Sequence, residues 1–255
     1  MGALEAALRT KVASGGKAFV PYVTGGFPGV EADLLGDLQR LGADAIEVGI
    51  PHSDPVMDGG VIQEASRVAL ERGTRVDDVL QTVADAAPEV PVAVMTYANP
   101  LQRRGADAFC DDLVRTGVAG AIVPDLPVDE AGPLERVAEL RGIDLVLLAA
   151  PGTSEDRYGT IAKASHGFVY CVATYGVTGA RDELASTARE VVEALRPHTD
   201  LPLLVGVGIA TPEQAAAACA FADGVIVGSA LMARLVEGDR AGAIALAQAF
   251  RAATS

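Results

Sequence analysis

Eight short apolar runs, each followed by a helix-like pattern, limit most strongly what this chain can fold into. The runs are uninterrupted and rich in β-branched residues, which is typical of strands that are covered on both faces. They span residues 18–23, 45–50, 92–96, 120–123, 145–149, 168–172, 203–207 and 224–227. Strands that alternate with helices form βαβ units and a parallel sheet, and eight repeats favour closure of that sheet into a barrel.

The helical patterns and the absence of linkers extend this prediction to the whole chain. The patterns begin near Val30, Val61, Asp107, Asp129, Asp156, Leu184, Thr211 and Ala230. The stretch before Ala18 has the character of a short amphipathic helix, which we expect to cover the barrel floor. No Gly/Ser/Pro-rich linker or low-complexity tract marks a boundary. The sequence therefore predicts one α/β domain over residues 1–255, a (β/α)8 TIM barrel with an extra N-terminal helix.

Composition argues against several classes of function. The formal net charge of −14 at pH 7 opposes non-specific binding to nucleic acid or to an anionic membrane, since both need clustered basic residues. Cys110, Cys171 and Cys219 are widely spaced and lie in no CxxC or Cys/His cluster, so neither a zinc site nor a disulfide framework is predicted. The chain shows no signal-peptide pattern and no stretch of transmembrane length. We therefore expect a cytoplasmic protein.

Residues 43–60, ADAIEVGIPHSDPVMDGG, carry the strongest signal for chemistry. Side chains alternate along a strand, so Glu47 projects from the face opposite the row of Ile and Val residues. A polar loop with Asp54 and Asp58 follows, and no Lys or Arg lies in this stretch. Barrel enzymes present catalytic groups in this way at strand ends. The alternative is that Glu47 pairs with a distant arginine and is structural.

Three glycine-containing turns follow late strands and indicate a phosphate site. They lie at residues 176–179, 206–208 and 228–229. In a barrel these loops converge on one part of the rim, where backbone N–H groups and a helix N-terminus can bind phosphate. Each turn taken alone is explained equally well by tight backbone geometry. The first of them also suits a mobile lid, and the lack of a GxxxxGK[ST] motif argues against a nucleoside triphosphate.

Aromatic and basic residues narrow the reaction type. Tyr22, Tyr97 and Tyr170 lie near the ends of three different strands and favour a pocket for a planar ligand, although packing inside the barrel explains each equally well. No lysine lies at a late strand end, which disfavours a Schiff-base aldolase. His52 lies in the acidic loop, where it could line the site or simply form a turn.

The motifs together resemble the tryptophan synthase alpha chain over nearly the whole sequence. They are PYVTGGFPG, EVGIPHSDPVMDGGVIQEAS, VPDLPVDE, YGVTGAR, VGVGI and VGSA, in the same order and spacing. The resemblance implies a (β/α)8 barrel that cleaves indole-3-glycerol phosphate to indole and glyceraldehyde 3-phosphate by a retro-aldol reaction, with no cofactor or metal. It also implies docking on a tryptophan synthase beta chain in an α2β2 assembly for tryptophan biosynthesis.

The resemblance also implies roles for individual residues. Glu47 matches the acid that protonates the indole ring at C3, and Asp58 matches the carboxylate that stabilises the cationic indole nitrogen. The phosphate site corresponds to Gly179, Gly208, Gly228 and Ser229. The indole pocket and its lid correspond to Tyr22, Met95, Ile122, Tyr170, Thr178 and Val207. Two departures lie in the acidic loop, where His52 replaces the usual Phe or Tyr and Gly60 replaces a common Pro.

Three other functions fit parts of the pattern. A free-standing indole-3-glycerol phosphate lyase could supply indole to a specialised pathway. A non-catalytic barrel could serve only to activate a beta chain, although intact Glu47 and Asp58 argue against it. The late glycine turns alone also fit another phosphosugar isomerase or aldolase, because one fold hosts many functions.

Overall fold

A closed barrel of eight parallel strands forms the centre of the molecule, with each strand paired to its neighbours in chain order. The computed structural model describes residues 1–173 and 181–254, with the backbone alone over 181–185. The strands are β1 Ala18–Thr24, β2 Ile46–Gly49, β3 Val92–Met95, β4 Gly120–Ile122, β5 Asp144–Ala149, β6 Val169–Val172, β7 Leu203–Gly206 and β8 Gly224–Val227. Pairing of β1 with β8 closes the barrel. This confirms the predicted fold class, and each predicted run matches its strand to within one residue at either end.

Helices surround the barrel on the outside. In the described part of the chain they are α1 Ala3–Ala13, α2 Ala32–Arg40, α3 Gly60–Glu71, α4 Val76–Ala86, α5 Ala98–Arg104, α6 Ala106–Arg115, α7 Val128–Arg141, α8 Glu155–Ala164, α9 Arg181–Leu195, α10 Pro212–Cys219, α11 Ser229–Val236 and α12 Arg240–Ala253, with a 3-10 turn at Arg196–His198. The sequence patterns predicted nine of these and missed α4, α5 and α12. Among the described helices, none combines the length and apolar character needed to cross a lipid bilayer.

The first helix, α1, covers the floor of the barrel, as its amphipathic pattern predicted. Leu4 and Leu8 are completely buried beneath the strands. The carboxylate of Asp144, at the start of β5, accepts hydrogen bonds of 3.0 Å from the backbone N–H groups of Gly2 and Glu5. These N–H groups have no partner within the helix, so Asp144 acts as its N-terminal cap from a distant part of the chain.

The candidate functional groups lie at the opposite end of the barrel, at the carboxyl ends of the strands. Parallel register places Glu47 on β2 level with Tyr22 on β1 and with Ala93 on β3. On the next pair, Met95 of β3 lies level with Ile122 of β4. Side chains from four adjacent strands therefore meet near this rim, which is where barrels of this class carry their active sites.

Candidate active site

Glu47 is a carboxyl group buried inside the barrel without a described partner. Every residue of β2 is buried, and Glu47 is only 1% exposed. Its Oε2 atom has no hydrogen-bond partner among the described residues, and none of the described arginines forms an ion pair with it. Burial raises the pKa of Glu47 to about 8, and the nearby charge of Asp58 adds to the increase. Glu47 is therefore mainly a neutral, proton-bearing acid at pH 7.

Asp58 lies in the loop between β2 and α3 and has a different environment. The Tyr97 hydroxyl donates a hydrogen bond of 3.2 Å to its Oδ2 atom. Burial raises the pKa of Asp58 to about 6, while the hydrogen bond from Tyr97 and the charge of His52 act in the opposite direction. Asp58 is therefore mainly a carboxylate at pH 7.

The two carboxyl groups hold different protonation states at the same pH. Their pKa values, about 8 for Glu47 and about 6 for Asp58, lie on either side of neutrality. Such a separation assigns one group to proton donation and the other to charge stabilisation. The pair can therefore protonate one atom of a ligand and stabilise a positive charge on another in the same step.

Tyr22 and Tyr170 face this pair from inside the barrel. Burial is the main cause that raises the pKa of both phenols well above its usual value, and negative charge on the carboxyl pair adds to it, so both keep their protons. The Tyr22 hydroxyl lies 3.3 Å from Oγ1 of Thr24. Both rings are buried, at 4% and 8% exposure, and the planar-ligand pocket that the strand-end tyrosines indicated stays a prediction.

Glycines make room for these rings. A Cβ atom on Gly206 would collide with the hydroxyl of Tyr170, and one on Gly228 would lie 2.9 Å from the Tyr22 ring. A side chain at either position would therefore displace a tyrosine. At Gly228, this requirement is separate from the phosphate contact that the sequence predicted there.

The ends of β7 and β8 form the part of the rim that the sequence assigned to phosphate. After β7, Val207 and Gly208 both have left-handed backbone angles, with φ of 66° and 92°. Such angles suit Gly208 but are rare for a β-branched residue such as Val207, which is 38% exposed. After β8, Gly228 is the N-cap of α11 and Ser229 is its first residue. The turn after β7 and the N-terminus of α11 follow two paired strands, and such an arrangement is suited to an anion.

Of the four remaining predicted site residues, two are described by the structure and two are not. Met95 is half-buried and Ile122 is buried, and they lie side by side at the ends of β3 and β4. Thr178 and Gly179 lie outside the described residues. The structure therefore brings Tyr22, Tyr170, Glu47 and Asp58 together, and it places Val207, Gly208, Gly228 and Ser229 along the adjoining rim.

Tyr97 is the residue whose role sequence reasoning missed. It is the N-cap residue of α5, and its hydroxyl accepts a hydrogen bond of 3.0 Å from the N–H of Met57 while it donates to Asp58. The His52 ring stacks on the Tyr97 ring, with centroids 4.6 Å apart and planes inclined by 21°. The sequence identified Tyr97 only as an aromatic residue near a strand end. It did not decide whether His52 lines the site or forms a turn. The only indication in the sequence that His52 and Tyr97 come into contact was that they follow two adjacent strands, β2 and β3.

Comparison with known proteins gives the family. The family model described as the tryptophan synthase alpha chain matches residues 8–253. The chain belongs to the tryptophan synthase alpha chain family. The tryptophan synthase alpha chain of Synechococcus elongatus is 44% identical over 253 residues, covering 97% of this chain and 94% of that protein. The alpha chain of Streptomyces avermitilis is 42% identical over 240 residues, covering 92% and 87%.

Solved structures from the same family share the fold. A tryptophan synthase chain of Mycobacterium tuberculosis superposes with a TM-score of 0.90 at 39% identity and covers 99% of this chain and 98% of its own. Tryptophan synthase subunit alpha of Legionella pneumophila has a TM-score of 0.88 at 35% identity, with 100% and 98% coverage. Membership of the tryptophan synthase alpha family therefore extends over the whole barrel, and the resemblance found in the sequence is confirmed.

Proposed function

We propose that this chain cleaves indole-3-glycerol phosphate to indole and glyceraldehyde 3-phosphate by a retro-aldol reaction. The observation that carries the proposal is a buried, proton-bearing Glu47 beside an ionised Asp58. Membership of the tryptophan synthase alpha chain family supports the same reaction. Residues 1–255 then form one domain, with the active site at this rim.

The reaction needs a proton at carbon C3 of the indole ring. Neutral Glu47 donates that proton, and the ring nitrogen becomes positively charged. The carboxylate of Asp58 stabilises this charge, which is largest at and after the transition state. The bond between C3 and the glycerol chain then breaks, and its electrons return to the ring. The Glu47 carboxylate accepts the proton of the adjacent glycerol hydroxyl as that carbon becomes the aldehyde, so the acid is restored.

Binding of the substrate divides between two regions. The indole ring binds against Tyr22, Met95, Ile122, Tyr170 and Val207, and Thr178, which lies outside the described residues, serves as the lid residue. The phosphate group binds at the turns that contain Gly179, Gly208, Gly228 and Ser229. Backbone N–H groups and the α11 N-terminus supply the donors there. This division holds the scissile bond between the two sites, beside Glu47.

We further propose that the chain docks on a tryptophan synthase beta chain in an α2β2 assembly, in the cytoplasm, for tryptophan biosynthesis. Val56 and Met57 support this, since they are 68% and 40% exposed and directly precede Asp58. A cleft beside Met57 is lined in part by Leu126 and Pro127. Exposed apolar side chains at a rim are typical of an interaction site. A partner bound there would contact the loop that carries Asp58.

The test is indole release by the purified chain, alone and with a beta chain. We expect release by the chain alone and a large stimulation on complex formation, with co-elution of the two chains on gel filtration. Fast release without stimulation or complex would favour the free-standing lyase. Stimulation of a beta chain without any indole release would favour the non-catalytic barrel.

Two variants test the chemistry directly. Glu47→Gln keeps the shape of the side chain but cannot donate a proton to carbon, so we expect turnover to fall by at least about 10²- to 10⁴-fold with substrate binding retained. Asp58→Asn should also lower turnover more than affinity. Glu64→Gln, a change in the half-exposed partner of Arg67 on α3, serves as the matched control. Near-normal turnover of the Glu47 variant would remove Glu47 from the catalytic role.

A further inference from the structure

Tyr97 joins two separate segments at the active-site rim. It lies at the junction between β3 and α5, yet its hydroxyl is bonded to two consecutive residues of the loop after β2. That hydroxyl accepts the Met57 N–H at 3.0 Å and donates to Asp58 Oδ2 at 3.2 Å. The orientation of the Asp58 carboxylate therefore depends on where the Tyr97 ring lies.

His52 holds the Tyr97 ring on one face. The two rings stack with centroids 4.6 Å apart. The imidazole is held in turn by its own loop, since the N–H of Asp54 donates a hydrogen bond of 3.2 Å to His52 Nδ1. The loop thus folds back on itself, with His52 at one end, Asp58 at the other and Tyr97 between them.

We infer that His52 is a positioning residue, which fixes Asp58 through the stacked Tyr97 ring and supports its negative charge. The inference rests on the proposed function and goes beyond it, because it assigns to His52 a role that acts through Tyr97 and Asp58. Stacking restricts the Tyr97 ring, and the ring's hydroxyl restricts Asp58.

The charged and titratable groups around this assembly determine the sign of the effect. Asp58 is faced by His52 from its own loop, by Tyr97 from the β3–α5 junction and by Glu47 from β2. It is also faced by Tyr22 from β1 and by Tyr170 from β6. Burial raises the pKa of Asp58, whereas His52 and Tyr97 lower it. His52 also faces Asp54 through the bond at Nδ1, and Tyr97 also faces Asp125. Removal of His52 therefore leaves the desolvation of Asp58 less opposed, and the carboxylate should take up a proton at higher pH.

The first test measures the ionisation of Asp58 itself. Carboxyl carbons of 13C-labelled aspartate are titrated by NMR, and the Asp58 signal is identified by its absence from Asp58→Asn. We expect the titration of Asp58 to move to higher pH in His52→Phe, which keeps a stacked ring without charge, and also in Tyr97→Phe. His198→Phe, at the 3-10 turn that precedes β7 on the barrel floor, should leave it unchanged. An unchanged Asp58 titration in His52→Phe overturns the electrostatic part of the inference.

The second test asks whether His52 acts through Tyr97. In His52→Ala the stack is lost, and in Tyr97→Phe the hydrogen bond to a charged group is lost. Each change should lower kcat for indole release about tenfold with little change in KM. If both residues act on Asp58 through one ring, the double variant loses clearly less than the product of the two single losses in kcat. Fully additive losses, or wild-type kcat in His52→Ala, overturn the positioning role. A wild-type chain that releases no indole contradicts only the proposed function, since the NMR titration still decides the role of His52.

Discussion

Glu47→Gln is expected to stabilise the folded chain while it removes the proposed chemistry. The native barrel holds the Glu47 proton up to a pKa of about 8, whereas an unburied glutamate has an ordinary value of 4.5. Between these values the native state binds more protons than the unfolded state. The free energy of unfolding therefore falls as the pH rises through this window, and the loss levels off above pH 8.

The two pKa values give the size of this effect. Ionisation of Glu47 lowers the unfolding free energy by about 3 kcal/mol at pH 7 and by between about 4 and 5 kcal/mol at pH 9, relative to acid pH. Glutamine has nearly the same shape and stays uncharged, so the variant lacks this loss. The stability advantage of Glu47→Gln over the wild type should therefore grow by roughly 4 kcal/mol between pH 5 and pH 9.

The assay is urea unfolding at each pH from 5 to 9, followed by far-UV circular dichroism because the chain contains no tryptophan. Glu64→Gln is the control, since this glutamate is 44% exposed and paired with Arg67, and its replacement should not alter the pH dependence. Parallel pH curves for Glu47→Gln and the wild type would refute the reasoning, because they would mean that Glu47 ionises equally well in the native and unfolded states.

Three further predictions concern activity and the rim. The pH profile of kcat for the lone chain should be bell-shaped with a maximum between about pH 6 and pH 8, because Asp58 must be ionised while Glu47 is protonated. A flat profile would contradict this assignment of the two carboxyl groups. Gly60→Pro should raise the free energy of unfolding by about 0.4–1 kcal/mol and raise lone-chain turnover. Position 60 begins α3, Gly59 before it is already extended with ψ of 162°, and a Cβ atom at position 60 would meet no other atom within 4 Å. Denaturant unfolding measures the first effect and indole release the second. Gly206→Ala should lower turnover at least about tenfold by displacing Tyr170, whereas Gly36→Ala inside α2 should leave it near wild type; equal activities would contradict the close approach of that ring.

The barrel could be predicted from the sequence because its strands are short, apolar and evenly spaced. A run of β-branched residues between two helical patterns is typical of one element, a buried parallel strand. The helices α4, α5 and α12 were missed because one helix was expected after each strand, and each of these three is an additional helix after a strand that already has one. Local patterns do not distinguish one helix from two when a short turn joins them.

The candidate site could be predicted in part for a similar reason. Strand alternation places Glu47 inside the barrel, and the parallel register then brings Tyr22 beside it. The contact between His52 and Tyr97 depends on the path of an irregular loop, for which periodicity gives no information. The second requirement for glycine at position 228, to make room for Tyr22, likewise becomes visible only when the rings have positions.

The bond between Asp144 and the start of α1 has a consequence for synthesis on the ribosome. It joins backbone and side chain across 142 residues, so α1 has no cap and no floor to cover until β5 has been made. At typical rates of translation this takes on the order of 10 s, during which Leu4 and Leu8 have nothing to bury them. The first helix of the chain thus docks only after the first five strands have been made, and a chaperone that binds nascent apolar segments would find it exposed throughout that interval.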